Sequence, residues 1–422
     1  MTEESGSPLG KPRVNVTRRS LLKGAGGAAV LAGSSAVAAQ AKGERIVVVG
    51  AGVFGAWTAH HLQNAGHRVT LVDAHGPAHS RASSGGESRL IRAAYGRDAI
   101  YTRMARDSLP EWQALSAASG LPLFHPCGIL FFFGSEEPYV RDTIAAHQEA
   151  GLATKVLTQA EMAERFPAID FDGIEVGIYE PIFGVLMARR AVQTLVDRFV
   201  RAGGTYVQDA ALVPQGNELH ELRLASGKAI GADRLVFALG PWLPKLFPDV
   251  IGPRIRVTRQ EIYYFEPPAG DASFQPGALP GWVDFNGGDM FYGMPDLEGR
   301  GVKFAYDIHG PEADPDTQDR RPTDAGLADV VAYRDRRFPA LRAAPMIGAE
   351  VCQYENSSNG DFLVDFHPRW KNALLVGGGS GHGFKHGPEV GRYAAARLFG
   401  SIEPEPRFSL ASKSETHHRE VH

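Results

Sequence analysis

Two cysteines in 422 residues, Cys127 and Cys352, are too few for a disulfide framework. They leave room for one disulfide, or for a special role of one thiol. No sign of charge dominates: 44 Lys and Arg stand against 48 Asp and Glu, a formal net charge of −4. The arginines are scattered, as on a solvated surface, and nothing points to a groove for nucleic acid. No segment repeats. What is left is an ordinary globular balance, 43% hydrophobic and 22% charged, in a chain long enough for two domains with full cores. Glycine is plentiful at 49 residues, gathered at turns and in a few Gly-rich loops.

The first 16 residues are polar and aperiodic, and read as disorder. Thr17-Arg18-Arg19-Ser20-Leu21-Leu22-Lys23 follows, then a Gly/Ala-rich apolar run to Ala39. Paired arginines, moderate hydrophobicity and small residues at the end resemble a twin-arginine export signal. Ala36-Val37-Ala38 and Ala39-Gln40-Ala41 both suit cleavage. The run is too Gly-rich for a firm membrane span, with an uncleaved anchor as the other reading. Residues 1–41 therefore stand outside the expected fold, and the protein is expected in the periplasm or outside the cell after passing the twin-arginine machinery.

The folded chain starts with Glu44-Arg45-Ile46-Val47-Val48-Val49, whose run of β-branched residues predicts a buried parallel strand. Gly50, Gly52 and Gly55 then form G-x-G-x-x-G, with Val53 and Phe54 opening a helix. Gly50 allows a tight turn, Gly52 lets the backbone approach a pyrophosphate, and Gly55 lets helix and strand pack closely. The pyrophosphate would sit on the helix N-terminus. A second strand ends on Asp73, where an acid can take a ribose hydroxyl. The motif by itself does not separate FAD from NAD.

After Asp73 comes a loop of small, hydroxylic and basic residues, including Ser83, Ser88, Arg89 and Arg92. Such a loop can lie along a cofactor, and two arginines three apart share a face on a helical turn. Ser83 to Arg92, with Ala94-Tyr95-Gly96 behind it, resembles the corresponding loop of monomeric sarcosine oxidase, N-methyltryptophan oxidase and their relatives in the D-amino-acid-oxidase-like flavoprotein superfamily. The resemblance recurs to about Leu398. It implies an α/β (α+β) fold, a Rossmann-type FAD-binding domain interleaved with a substrate domain built on a mostly antiparallel sheet. Residues 42–132, 186–255 and 355–400 are assigned to the first and 133–185 and 256–354 to the second. Strands are expected at Gly128–Gly134, Val257–Phe265, Met290–Gly293 and Val302–Tyr306, with Ala232 to Trp242 an apolar strand leading to a glycine turn, and a helix over 188–202. The tail from Pro404 to His422 is polar and read as disordered, its His417, His418 and His422 being weak candidates for a metal; no metal site is assigned.

The second half carries the chemistry. Cys352 is either a buried apolar thiol or a nucleophile; the resemblance implies that it tethers FAD through a thioether to the 8-methyl group. A Cys127–Cys352 disulfide would compete with that tether. Gly377-Gly378-Gly379-Ser380-Gly381-His382-Gly383-Phe384-Lys385 is an anion-binding nest before a helix. In the family this loop meets the flavin ring, which favours FAD over NAD. The resemblance further implies that Arg92 and Lys385 bind a substrate carboxylate, that Arg89 and Ser88 lie near the flavin face, that Tyr292 lines the substrate cavity and that Lys303 activates oxygen. Asp307 departs from the family, which has a histidine there. His309, two residues on, would share its strand face and partly substitute, while the new carboxylate suits a substrate cation.

The implied activity is oxidation of an N-alkyl or cyclic amine bearing a carboxylate. Hydride leaves the carbon next to nitrogen, the imine hydrolyses, and oxygen yields hydrogen peroxide. A dehydrogenase with a quinone or carrier acceptor, a non-catalytic flavoprotein and a soluble NAD enzyme are the alternatives, and a monomer is the expected state.

Overall fold

The computed structural model describes residues 43–286 and 289–418. The expected export signal and His422 lie outside them. No helix among the described residues is long and apolar enough to cross a membrane.

Ile46, Val47, Val48 and Val49 are each at most 2% exposed, because strand β1 (Arg45–Val49) has a neighbour on either side. It pairs in parallel with β2 (Arg68–Asp73) and with Arg234–Phe237. The six-stranded sheet runs Leu363–Phe366, Ala373–Gly377, Arg234–Phe237, β1, β2, Thr205–Gln208. All its pairs are parallel except the edge strand Leu363–Phe366. Helix α1 (Val53–Asn64) packs on the helix Gly387–Leu398. The contact is tight: a Cβ at Gly387 or Gly391 would sit 2.5 Å from Val53 and 2.6 Å from the Trp57 backbone, respectively.

The second sheet has eight strands, in the order Met346–Ser357, Ile255–Phe265, Val302–Tyr306, Asp289–Met294, Gly281–Asn286, Ile129–Phe133, Val176–Glu180, Lys155–Thr158. Its pairs are antiparallel save one, Gly281–Asn286 against Ile129–Phe133. Alternation splits its faces. Tyr263, Phe265, Val302 and Phe304 bury into an aromatic layer with Trp282, Tyr333 and Phe338, closed by the helix Asp324–Arg337. The opposite face brings Ile262, Tyr264, Ala305 and Cys352 together with Tyr292. This is the face turned to the dinucleotide loop.

Four expectations need correction. Ile129–Phe133 belongs to the eight-stranded sheet, so a domain boundary after residue 132 cuts a strand. Arg89–Ile91 is a strand, not a helical turn, because it pairs with Gly184–Leu186. The strand Val302–Tyr306 ends before Asp307, so strand alternation does not relate Asp307 to His309. The tail is not disordered over its described residues. Phe408 is buried, and Arg407 pairs with Asp361 and Asp98.

Asp284 and Arg337, 2% and 3% exposed, form an ion pair at 2.9 Å under the aromatic layer. Arg337 also donates to the carbonyls of Asp170 and Asp172. Removing one partner of such a pair strands the other charge. Asp284→Ala is expected to lower stability by about 3–5 kcal/mol in equilibrium urea unfolding; a loss under about 1 kcal/mol would show that the pair is not a structural anchor.

Candidate active site

The three glycines of the first motif do different things. Gly50 has φ +106, and a Cβ there would lie 2.2 Å from the Ala238 carbonyl oxygen. A Cβ at Gly55 would lie 1.8 Å from the Gly50 oxygen. Both are glycine because the protein itself fills the space. Gly52 differs. Its φ of −74 suits any residue, and its nearest neighbour would be Ser84 Oγ at 3.6 Å. Gly52 opens instead on a cavity of about 300 Å³. Asp73 anchors the turn, accepting from the N–H groups of Ala51 at 2.7 Å and of His75 and Gly76 at 2.8 Å. Ser84, which sequence reasoning passed over, accepts from the Val53 N–H at 3.1 Å and so caps α1 at the cavity wall.

That cavity runs from Asp73, His75 and Trp242 past Gly50, Gly52, Val53, Phe54 and Ser83 to Glu355, Gly379, Gly381, Gly383, Phe384 and Arg89. Gly55 and Gly378 do not line it. Gly378 sits at φ +68 against Asp361 and Leu363 and shapes the loop from behind. Two buried oxygens on the cavity wall, Ser83 Oγ and Glu355 Oε2, have no hydrogen-bond partner among the described residues. A cradle open at Gly52 with orphaned polar atoms along it fits a long, polar, phosphate-bearing ligand such as FAD.

A second, smaller cavity is lined by Arg92, Lys385, His382, Tyr292, Asp307 and His309, with Ser380 and Met290. Arg89, Tyr354, Gly381 and Phe384 line both cavities, so they form the border. Lys385 donates to the Tyr95 hydroxyl at 2.7 Å and the His382 carbonyl at 2.8 Å. Burial and the neighbouring Arg92 hold its pKa well below the ordinary lysine value. Arg92 lies over the Tyr95 ring at 4.3 Å and donates to the Ala94 carbonyl. The backbone beside it is pinned by Glu180, a buried acid that accepts from the Ala93 N–H at 2.9 Å. Tyr354 donates to Asp307 at 3.0 Å, and Asp307 also bears electrostatically on Lys385. Tyr354 was legible from Cys352, since two residues along a strand share a face.

Lys303 lines neither cavity. It is 1% exposed and donates to the Ser88 carbonyl at 2.8 Å. Burial first, then Arg89, brings its pKa down to about 7. Arg89 donates to the carbonyls of Ser83 and Ser88, each at 2.8 Å, and to Cys352 Sγ at 3.3 Å. Burial raises the Tyr292 hydroxyl to about 12, and Tyr292 packs against Cys352. Both cysteines are free thiols. Cys127 is buried among Val185, Met187, Met294 and Leu297, an apolar setting that raises its pKa to about 11.

A dinucleotide cavity that shares a wall with a pocket of fixed cations is the arrangement of an oxidoreductase whose cofactor carries the electrons and whose protein places the substrate. Residues 45–397 match the family model described as FAD dependent oxidoreductase, and the chain belongs to that family. It is 32% identical over 381 residues to the mouse peroxisomal sarcosine oxidase, covering 87% of this chain and 97% of the relative. It is 30% identical to the monomeric sarcosine oxidase of a Bacillus species, covering 82% and 90%. Among solved structures, L-proline dehydrogenase from P. horikoshii has the same fold, with a TM-score of 0.75 at 20% identity over 86% of this chain and 96% of that one.

Gly52 and Gly55 separate binding from folding. Gly52→Ala has room in the protein and an allowed backbone, so its melting temperature should stay within a few degrees while FAD affinity falls about tenfold or more. Gly55→Ala drives a Cβ into a backbone oxygen, so melting itself should fall. A Gly52→Ala protein that binds FAD normally would place the cofactor away from this turn.

Proposed function

We propose that the protein oxidises the C–N bond of an amino acid carrying an N-alkyl or ring substituent, and that oxygen is the acceptor. The observation that carries this reading is the make-up of the smaller cavity: Arg92 and Lys385 line it together with Asp307, which accepts from Tyr354, and the FAD cavity lies alongside. An Arg fork and a Lys point charge fix a carboxylate. Lys385, held below its ordinary pKa, regains its charge when an anion arrives. Asp307 and His309 then face the amine end, where a carboxylate can take an N–H. FAD, when bound, supplies the two-electron acceptor. The names of the relatives, sarcosine oxidases, support the same class of substrate.

Two finer points belong to the same reading. Cys352 tethers the flavin, its sulfur 3.3 Å from the Arg89 guanidinium at the border of the two cavities. Lys303, a buried cation behind the border residues, assists oxygen reduction. The Thr17–Lys23 motif, outside the described residues, serves twin-arginine export of the folded, FAD-loaded protein.

The test is flavin bleaching without oxygen against a panel of N-methyl, cyclic and primary amino acids and the corresponding amines without the carboxylate. At least one N-substituted amino acid should bleach it, and Arg92→Ala or Lys385→Ala should raise KM for that substrate about 10- to 100-fold. A panel that bleaches only with amines lacking a carboxylate would sink the assignment.

Lys303→Met should keep anaerobic bleaching and lose oxygen consumption. In the parent, oxygen consumption depends on the Lys303 cation, present below its pKa and lost above it. The rate should therefore fall as pH rises through about 7, or somewhat higher where FAD adds negative charge nearby. A flat profile, or a Lys303→Met protein that consumes oxygen normally, would assign the acceptor elsewhere. Retention of yellow colour after acid precipitation, lost in Cys352→Ser, checks the tether.

A further inference from the structure

Glu355 belongs to no role considered so far. It sits three residues past Cys352 on the strand Met346–Ser357, about 10 Å further along. It is 6% exposed, yet it lines the dinucleotide cavity. One carboxyl oxygen accepts from the Gly379 N–H at 3.3 Å. The other, Oε2, is buried and without a partner among the described residues. It lies between the Gly-rich loop and the turn after Arg234–Phe237: a Cβ on Gly377 or Gly240 would lie 3.5 or 3.8 Å from it, respectively. Burial lifts the Glu355 pKa to about 7, with only backbone N–H groups opposing and no cation beside it.

A buried acceptor of this kind costs stability until a donor reaches it. No donor among the described residues reaches it, and the ligand of this cavity can supply one; the reading of that ligand as FAD is assumed here. Pyrophosphate oxygens are acceptors and repel a carboxylate. The ribose of the adenosine half is the business of Asp73, at the far end of the cavity. Between the Gly50–Gly52 cradle and Cys352, FAD offers one set of donors, the hydroxyls of its ribityl chain. We propose that Glu355 is the residue that holds the ribityl chain of FAD, its free oxygen accepting from one of those hydroxyls.

The experiment measures reversible FAD binding by fluorescence quenching, on the full-length apoprotein carrying Cys352→Ser so that attachment does not hide the equilibrium. Against it are tested FAD and the analogues lacking the 2′-, 3′- or 4′-hydroxyl of the ribityl chain. In the Glu355-containing protein, one analogue should bind about tenfold or more weaker than FAD. In Glu355→Leu, FAD itself should weaken by a similar factor, and the penalty for that analogue should vanish. Three analogues that all bind like FAD overturn the proposal without recourse to any variant. So does a Glu355→Leu protein that binds FAD as its parent does, or one in which the analogue penalty persists. A Glu355-containing protein that binds no FAD at all overturns the flavoenzyme reading together with this one, which distinguishes the two failures.

Discussion

One carbonyl oxygen, that of Ser88, accepts from two buried cations: Lys303 Nζ and Arg89 Nη1, both at 2.8 Å. Lys303 comes from the antiparallel sheet and Ser88 from the loop that leaves the dinucleotide sheet. Arg89 reaches onward to Ser83 and to Cys352. At this point the join between the cofactor half and the substrate half is electrostatic and short-range, beside an apolar cluster that both halves share. Charge-assisted hydrogen bonds to a carbonyl hold geometry better than an apolar seam would, because they fix direction as well as distance. The border residues of the two cavities inherit that definition.

Lys303 at this join and Lys385 in the smaller cavity are costly to bury, and the protein leaves their pKa values low, whereas Arg89 is raised. Lys303 is brought to about 7 and Lys385 well below its ordinary value, each mainly by burial. Among the described residues, neither is matched with a carboxylate in a tight pair. A matched pair would be more stable alone but would give an incoming anion nothing to gain. The pocket around Lys385 thus stores its affinity as an unfavourable state of the empty site.

The dinucleotide turn was legible because its demands fall on the backbone. Gly50 and Gly55 are required by local clashes, and an acid at the end of β2 has three N–H groups to satisfy. The pocket residues Arg92, Lys385, Tyr292, Asp307 and His309 came from resemblance, and the fold brings them to one cavity. Local spacing misled where tertiary pairing decided. Arg89 and Arg92 looked like a helical pair, but Leu186 takes Arg89 into a strand. The polar tail gave no sign that Arg407 would find Asp361 or that Phe408 would enter the core. Glu355 was hidden for the opposite reason. An acid near the end of a strand reads as an exposed residue, and only the packed loop Gly377–Gly383 shows that it is enclosed.

Asp307 and His309 lie just past the end of Val302–Tyr306, whereas Lys303 is locked within it between Tyr264 and Met294. The Asp307 N–H donates to the Met290 carbonyl, a backbone bond available to any residue but proline. Side chains at 307 and 309 can therefore be exchanged without breaking a ladder, while the join at Ser88 and Lys303 stays put. Diversification on this scaffold is thermodynamically cheap at the amine end of the pocket and expensive everywhere the flavin is gripped. Divergent descendants would keep the cofactor and change what they eat.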